Sequence, residues 1–203
     1  MRPGRHGDAG QAFPIYITVV AGLLFLAFAY VAVGQAAVNR SGAQTAADAA
    51  ALAAAQDTRD QLAAKWVEDV LDPGKWQEIF DGNVAGLVDS CGRASQLAAQ
   101  NKAHMTGAGC QWQPGLPPGY EVAVESDKPV GDSIVPGTED QHSTAHATAV
   151  IERRCTFTPL DADAGDNVLP KLTCKDGKDW DLDPLHLTDL PRPEDLFDVH
   201  LAD

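Results

Sequence analysis

Three aspartates near the C-terminus have a spacing that could bind a cation. Asp179, Asp181 and Asp183 alternate as the ligands do in the first half of an EF-hand calcium loop. The glycine that such a loop requires at its sixth position is Pro184, and the twelfth position holds Leu190 instead of a bidentate glutamate. The pattern therefore favours a solvated acidic surface over a calcium site.

Other residues of chemically useful types lack the partners that their chemistry needs. Asp161 and Asp163 are followed by no glycine at the required position, so this pair fails in the same way. His142 and His146 are four residues apart but lack the glutamate of a HExxH zinc site, and Gly131-Asp132-Ser133 offers a serine without a GxSxG elbow. We predict no catalytic residue, no metal site and no cofactor.

Four tryptophans, Trp66, Trp76, Trp112 and Trp180, could form a platform for a glycan. Trp66 falls on the apolar face of a predicted helix, and tryptophans are more often core or rim residues. Glycan binding therefore stays open as an alternative.

Composition excludes nucleic acid as a partner. The chain has 29 acidic and 15 basic residues, a formal net charge of −14, and no basic stripe that could neutralise phosphates. Aromatic residues make up 6% of the chain, so we expect a core of small and β-branched side chains.

An apolar run, residues 12–38, contains no charged residue and exceeds the ~20 residues that an α-helix needs to cross a membrane. Arg2 and Arg5 precede it, which predicts a cytoplasmic segment 1–11 and an outer remainder. The run is longer than a typical signal h-region of ~7–15 residues. The alternative is cleavage near Gly34, which would release a secreted acidic module that binds a glycan or calcium.

Helical periodicity continues beyond the membrane through residues 39–72. Small residues recur there and in the span at spacings that let two helix backbones approach closely. The predicted packing seam consists of Ala32, Ala36, Ala43, Ala47, Ala50 and Ala54. The alternative is that these spacings arise only because alanine is frequent in this segment.

The stretch from Gly10 to Gln56, with GQAFPIYITVVAGLLFLAFAYVAVGQ followed by AQTAADAAALAAAQ, resembles the TadE/TadG-like proteins of Flp (tight-adherence) pilus machinery, particularly actinobacterial members. The resemblance implies a membrane-anchored, outward-facing, pilin-like component of pilus assembly or secretion. It also implies a structural role, with other pilin-like or pilus-machinery proteins as partners.

The possible processing site of this family departs from its pattern. Flp-type prepilins are cut after a glycine that is followed by four residues and then Glu-Tyr. Here Gly10 and Gln11 would flank the cut, but Ile15 stands in place of the glutamate before Tyr16. The departure favours an uncleaved, TadG-like role.

Cys91, Cys110, Cys155 and Cys174 all follow the apolar run and form no CxxC pair, which favours disulfides over zinc or redox sites. Four cysteines allow three pairings. The short, similar spacing within each sequential pair favours Cys91–Cys110 and Cys155–Cys174.

Residues 73–158 are predicted to form a small outer domain. A second helical pattern runs from Leu87 to near Met105 and ends before Gly107-Ala108-Gly109, and strands are predicted at 120–125 and 144–157. The fold class is α+β: a pilin-like long helix packed on a small antiparallel sheet. Residues 159–203 are acidic and proline-punctuated, and we expect a partly ordered tail whose last ~20 residues are mobile.

Overall fold

A computed structural model describes residues 12–129, 137, 139–160 and 168–202. One unbroken helix, α1, runs from Ala12 to Glu68. Pro14 lies in its first turn, where a missing N–H leaves no unmade hydrogen bond. Alanine, the best helix former, dominates its second half, and the helix ends at Glu68, one turn before Asp72-Pro73-Gly74.

In the described residues, the other elements form two antiparallel sheets, three short α-helices and a 3-10 turn at Pro73–Lys75. The helices are α2 (Trp76–Phe80), α3 (Cys91–Gln100) and α4 (Pro193–Leu196); the strands are β1 (Ala103–Gln113), β2 (Gly119–Ser126), β3 (Thr144–Arg153), β4 (Cys155–Phe157), β5 (Leu172–Cys174), β6 (Asp179–Trp180) and β7 (Phe197–Leu201). The larger sheet has the order β1-β2-β3-β7, and the smaller has the order β4-β5-β6. This arrangement confirms the predicted α+β class with a long N-terminal helix on an antiparallel sheet.

The second half of α1 packs on the larger sheet through alanines on both sides. Ala145, Ala147, Ala149 and Ile151 point from β3 to one face and are buried, as their alternation predicts. The facing side chains of α1 are almost all alanine, from Ala43 to Ala55. Because most of the facing side chains are methyl groups, the helix and the sheet approach closely, and few large side chains are needed to fill the layer.

Aromatic side chains fill the core at the far end of α1. The rings of Trp66 and Trp76 have centroids 5.3 Å apart, and Trp76 lies the same distance from Phe157. Phe80 is 5.5 Å from Phe197 of β7. The cluster joins α1, α2, the small sheet and the last strand into one core.

A buried polar cluster joins α1 to the segment before α3. The hydroxyls of Thr58 and Ser90 are 2.7 Å apart and each residue is 1% exposed. Ser90 also donates to the carboxylate of Asp57 at 2.8 Å, and Thr58 donates to the Tyr120 hydroxyl at 3.1 Å. Gln61 adds a donor to the same carboxylate and accepts from the backbone N–H of Val88. The cluster fixes the register of α1 against α3 and β2, because each buried polar group depends on its partners.

Two disulfides brace the outer domain, and they join the cysteines paired as the sequence favours. Cys91 at the start of α3 is bonded to Cys110 of β1, and Cys155 of β4 to Cys174 of β5. Each pair is separated by 19 residues, a loop size for which the chain-entropy account gives roughly 3 kcal/mol.

The second helix is shorter than the pattern predicts. Leu87 and Val88 precede it, and Met105 belongs to β1. Lys102, whose φ is 61°, reverses the chain after α3. The Gly107-Ala108-Gly109 segment is an irregularity within β1, where the register with β2 shifts between Met105 and Cys110. Pairing with β2 thus overrides the helical periodicity of this segment.

The C-terminal segment is not the mobile tail that its composition suggests. Its last described residues form α4 and then β7, which pairs antiparallel with β3 along Ala149–Arg153 and completes the larger sheet. Phe197 and Leu196 are buried in the core. The predicted strand 144–157 also divides, because β3 ends at Arg153 and Cys155 begins the smaller sheet.

Leucine in place of Ala50 should destabilise the outer domain. Ala50 is fully buried between α1 and the rest of the domain, so the larger side chain forces the layers apart. We expect Ala50→Leu to lower the free energy of unfolding by about 1–3 kcal/mol, measured by denaturant titration followed by tryptophan fluorescence. Ala36→Leu, on the exposed half of the same helix, should change it by less than about 0.5 kcal/mol. Equal effects of the two variants would contradict the close packing.

Removal of the Ser90 hydroxyl should break the polar cluster. Ser90→Ala removes the hydroxyl from both Asp57 and Thr58, which keep Gln61 and Tyr120 as their other partners. Two lost hydrogen bonds at roughly 0.5–1.5 kcal/mol each should cost about 1–3 kcal/mol. Ser95→Ala, on the exposed face of α3, is the matched control and should stay within about 0.5 kcal/mol. Thermal unfolding of the two variants side by side checks the difference, and a Ser90→Ala protein as stable as Ser95→Ala would show that the cluster contributes nothing.

Candidate membrane anchor and stem

The first half of α1 exposes its apolar side chains. Phe25 is 70% exposed, Tyr30 81% and Val38 71%, and the most apolar 18-residue window is not buried at all within the structure. Residues 14–38 extend about 38 Å at 1.5 Å per residue, enough for a hydrocarbon core of about 30 Å. By length and composition this segment can cross a membrane.

The one threonine of this segment is hydrogen-bonded within the helix. Thr18 donates its hydroxyl proton to the carbonyl of Pro14, one turn earlier, at 2.8 Å. Such bonding lets a threonine lie in an apolar medium without an unmade hydrogen bond. The helical backbone bonds and the Thr18 bond are therefore of the kind that a lipid environment requires.

Polar contacts to the outer domain begin at the residue after the apolar run. Asn39 donates a side-chain N–H to the carbonyl of Pro129 at 3.4 Å. One turn later Gln44 donates to the carbonyl of His146 at 3.2 Å, and Arg40 between them is exposed. The domain therefore starts within one or two helical turns of the end of the apolar half.

The predicted seam divides into two parts with different neighbours. Ala43, Ala47, Ala50 and Ala54 are 0–2% exposed because they pack on the chain's own sheet and on α3. They are not available to a neighbouring stem helix, so this part of the prediction is corrected. Ala32 and Ala36 lie on the apolar half, where Ala32 is half-buried and Ala36 exposed. Small-residue spacing indicates that another backbone packs closely on the helix. It does not show whether that backbone belongs to a neighbouring stem helix or to the chain's own sheet.

The C-terminal aspartates hold nearby groups of the chain instead of converging on one point. Lys171 forms an ion pair with Asp179 at 3.0 Å, which raises the pKa of this lysine. The Leu185 backbone N–H, with the His186 ring, lowers the pKa of Asp183. Within the described ranges no three His, Cys, Asp or Glu side chains are grouped to hold a metal ion. Asp161 and Asp163 lie outside those ranges.

The two histidines of the HSTAH stretch do not form a site together. His142 precedes β3, and its Nδ1 lies 2.6 Å from the carbonyl oxygen of Ser126. His146 is exposed on the outer face of β3. Gly131-Asp132-Ser133 lies outside the described residues, as do Gly10 and Gln11 of the possible processing site.

The tryptophans do not form a common platform. Trp66 and Trp76 are fully buried and Trp180 is 9% exposed, which leaves Trp112 half-buried at the surface. A glycan site that uses all four indoles is therefore wrong.

The residues missed by the sequence interpretation are the polar ones on the buried face of α1. Thr58 lies four residues after Ala54 and four before Leu62, so its spacing places it on that face. A polar residue at such a position needs a hydrogen-bonding partner, which is the signal that could have predicted the cluster with Ser90.

Residues 10–57 match the model of the family described as "Putative Flp pilus-assembly TadE/G-like". Comparisons with curated proteins and with solved structures found no match. The matched residues span the exposed apolar half of α1 and the buried alanines that follow it, ending at Asp57 of the polar cluster. Residues 10–57, about a quarter of the chain, are therefore similar to the TadE/G-like segment that this family model describes.

Proposed function

We propose that this protein is a membrane-anchored, pilin-like accessory component of an Flp-type pilus-assembly or secretion system, with a structural and not a catalytic role. The observation that carries the proposal is what the family match covers. It includes an exposed apolar half-helix of membrane-spanning length and the following part of the same helix, which packs on the outer domain.

The anchor places the N-terminus in the cytoplasm and the outer domain outside the cell. Arg2 and Arg5 precede the span, and positive charge favours the cytoplasmic side. Both disulfides lie beyond the span, which suits an oxidising exterior.

The absent glutamate bears on whether the chain enters a filament. Ile15 stands where Flp prepilins carry that carboxylate, and its side chain is exposed on the apolar half. Without the charge, cleavage after Gly10 has lost its recognition element. The chain then stays in the membrane as an accessory subunit.

The stem contacts other stems through Ala32 and Ala36. In lipid, small residues one turn apart allow the close backbone approach on which helix association depends. The remaining alanines of the seam are already used by the chain's own domain. This contact therefore lies within the span.

Topology can be tested with two single added cysteines. An impermeant maleimide applied to intact cells should label Ser95→Cys, on the exposed face of α3, and should not label Gly4→Cys until the membrane is opened. The mature protein should fractionate with the membrane and retain its full mass. Labelling of Gly4→Cys in intact cells would reverse the orientation. A mature N-terminus at Gln11 would reveal prepilin processing, and one at Gln35 would favour the secreted alternative.

The stem contact can be tested inside the span. We expect the double variant Ala32→Leu/Ala36→Leu to insert normally but to crosslink several-fold less to other pilus-machinery proteins and to reduce surface pili, because leucine prevents close backbone approach. Val31→Leu, on another face of the span, is the matched control. Unchanged crosslinking in the double variant would move the assembly contact to the outer domain.

A further inference from the structure

A groove runs along the outer domain beside Trp112. It consists of two adjoining cavities, of about 340 and 540 Å³, that share Gly82, Asn83 and Trp112. One cavity also reaches Thr58 and Tyr120, and the other extends along the β1–β2 loop. The indole of Trp112 therefore lies at the junction of the two cavities.

The groove exists because two loops meet closely at Gly82. This residue has a φ of +69°, and a Cβ placed on it would come within 2.8 Å of Pro118 Cγ. Only glycine fits both the left-handed backbone and the contact. The ring of Trp112 begins 3.8 Å from the same point and packs edge-to-face on Tyr120, with centroids 5.1 Å apart. Trp112 is thus held in place and still half-exposed.

The lining combines apolar walls with a few polar groups at the rim. Val84 and Leu87 line one cavity and Leu116 the other, while the exposed side chains of Asn83 and Asp89 provide amide and carboxylate groups. No residue that lines either cavity is a lysine or an arginine. The carboxylate of Asp81 is paired with Arg153 at 3.0 Å. Phosphate and other anions therefore have no cation to bind within the groove.

We infer that this groove binds a neutral glycan, with one sugar ring stacked on Trp112. The C–H-bearing face of a pyranose matches the electron-rich face of an indole, while the hydroxyls at its edge can bond to the Asn83 amide and the Asp89 carboxylate. The apolar wall of Val84 and Leu87 suits the methyl of an acetamido group, so the class predicted is an N-acetylated hexosamine chain.

The place of the groove fits such a ligand. Thr58 at its floor comes about 20 residues after the end of the apolar run, which corresponds to about 30 Å along the helix. At that height a surface polymer is within reach of an anchored protein. Binding itself does not require the anchor, so its test is independent of the proposed function.

The test uses the full chain in nanodiscs that contain no glycolipid, titrated with chitotetraose, a tetramer of N-acetylglucosamine. Because Trp66, Trp76 and Trp180 are buried, a change in tryptophan fluorescence on binding reports on Trp112. We expect saturable binding, weaker by at least about tenfold in Trp112→Ala and weaker by about threefold to tenfold in Asn83→Ala. Calorimetry measures the affinity of every variant, because Trp112→Ala lacks the fluorescent reporter. Trp112→Phe keeps an aromatic face and should retain most of the affinity. Leu185→Ala, which removes a 75% exposed side chain elsewhere, should bind as the wild type does.

Cellotetraose, which lacks the acetamido groups, should bind several-fold more weakly than chitotetraose. The glycan assignment is overturned if the wild-type protein binds neither tetrasaccharide at about 10 mM. It is also overturned if all three groove variants bind as tightly as the wild type. These are Asn83→Ala, Trp112→Phe and a Trp112→Ala protein that is still folded by its thermal transition. Binding of a proline-rich peptide in the groove, with no competition from chitotetraose, would identify a protein partner instead.

Discussion

The structure depends on one continuous helix, α1, whose two halves present different surfaces. Its first half presents apolar side chains all round, which suits lipid, and its second half presents a stripe of alanines to a sheet made of alanines and valines. Because the helix is continuous, the close approach of helix and sheet fixes where the outer domain begins relative to the apolar half. The absence of large side chains from that contact explains how a chain with 6% aromatic residues holds a domain together. Four of its aromatic residues, Trp76, Phe80, Phe157 and Phe197, are in contact at the far end, where α2, β4 and β7 meet.

The polar cluster fixes the register of α1, which contacts between methyl groups do not define. A shift of one alanine surface along another replaces each methyl contact with a contact of similar energy. Hydrogen bonds among Asp57, Ser90 and Tyr120 have one geometry, and a shift of α1 by one residue breaks them. The cluster also lies where the TadE/G-like match ends, so it joins the matched residues 10–57 to the rest of the outer domain.

Much of the fold could be predicted from local pattern, and the failures have a common cause. The long helix and the alternation of Ala145 to Ile151 are periodic signals that depend on a single element. The length of α3 and the order of the C-terminal segment depend on pairing with distant strands: residues 103–113 pair with β2, and residues 197–201 with β3. The burial of Ala47 and Ala50 was also beyond the pattern, because a stripe of small residues looks the same whether it meets another chain or its own sheet. Trp112 could be separated from the other tryptophans only once the two loops were seen to meet at Gly82.

The uninterrupted helix between span and domain has a mechanical consequence. A chain with a flexible linker would let its outer domain reorient freely, whereas a stiff rod couples the domain to the tilt of the span. For a point about 30 Å along the rod, a tilt of about 10° displaces it by roughly 5 Å. In the proposed anchor, small changes in how the span packs in the bilayer would therefore move the outer domain by larger lateral distances, and a pull on that domain would act back on the span as torque.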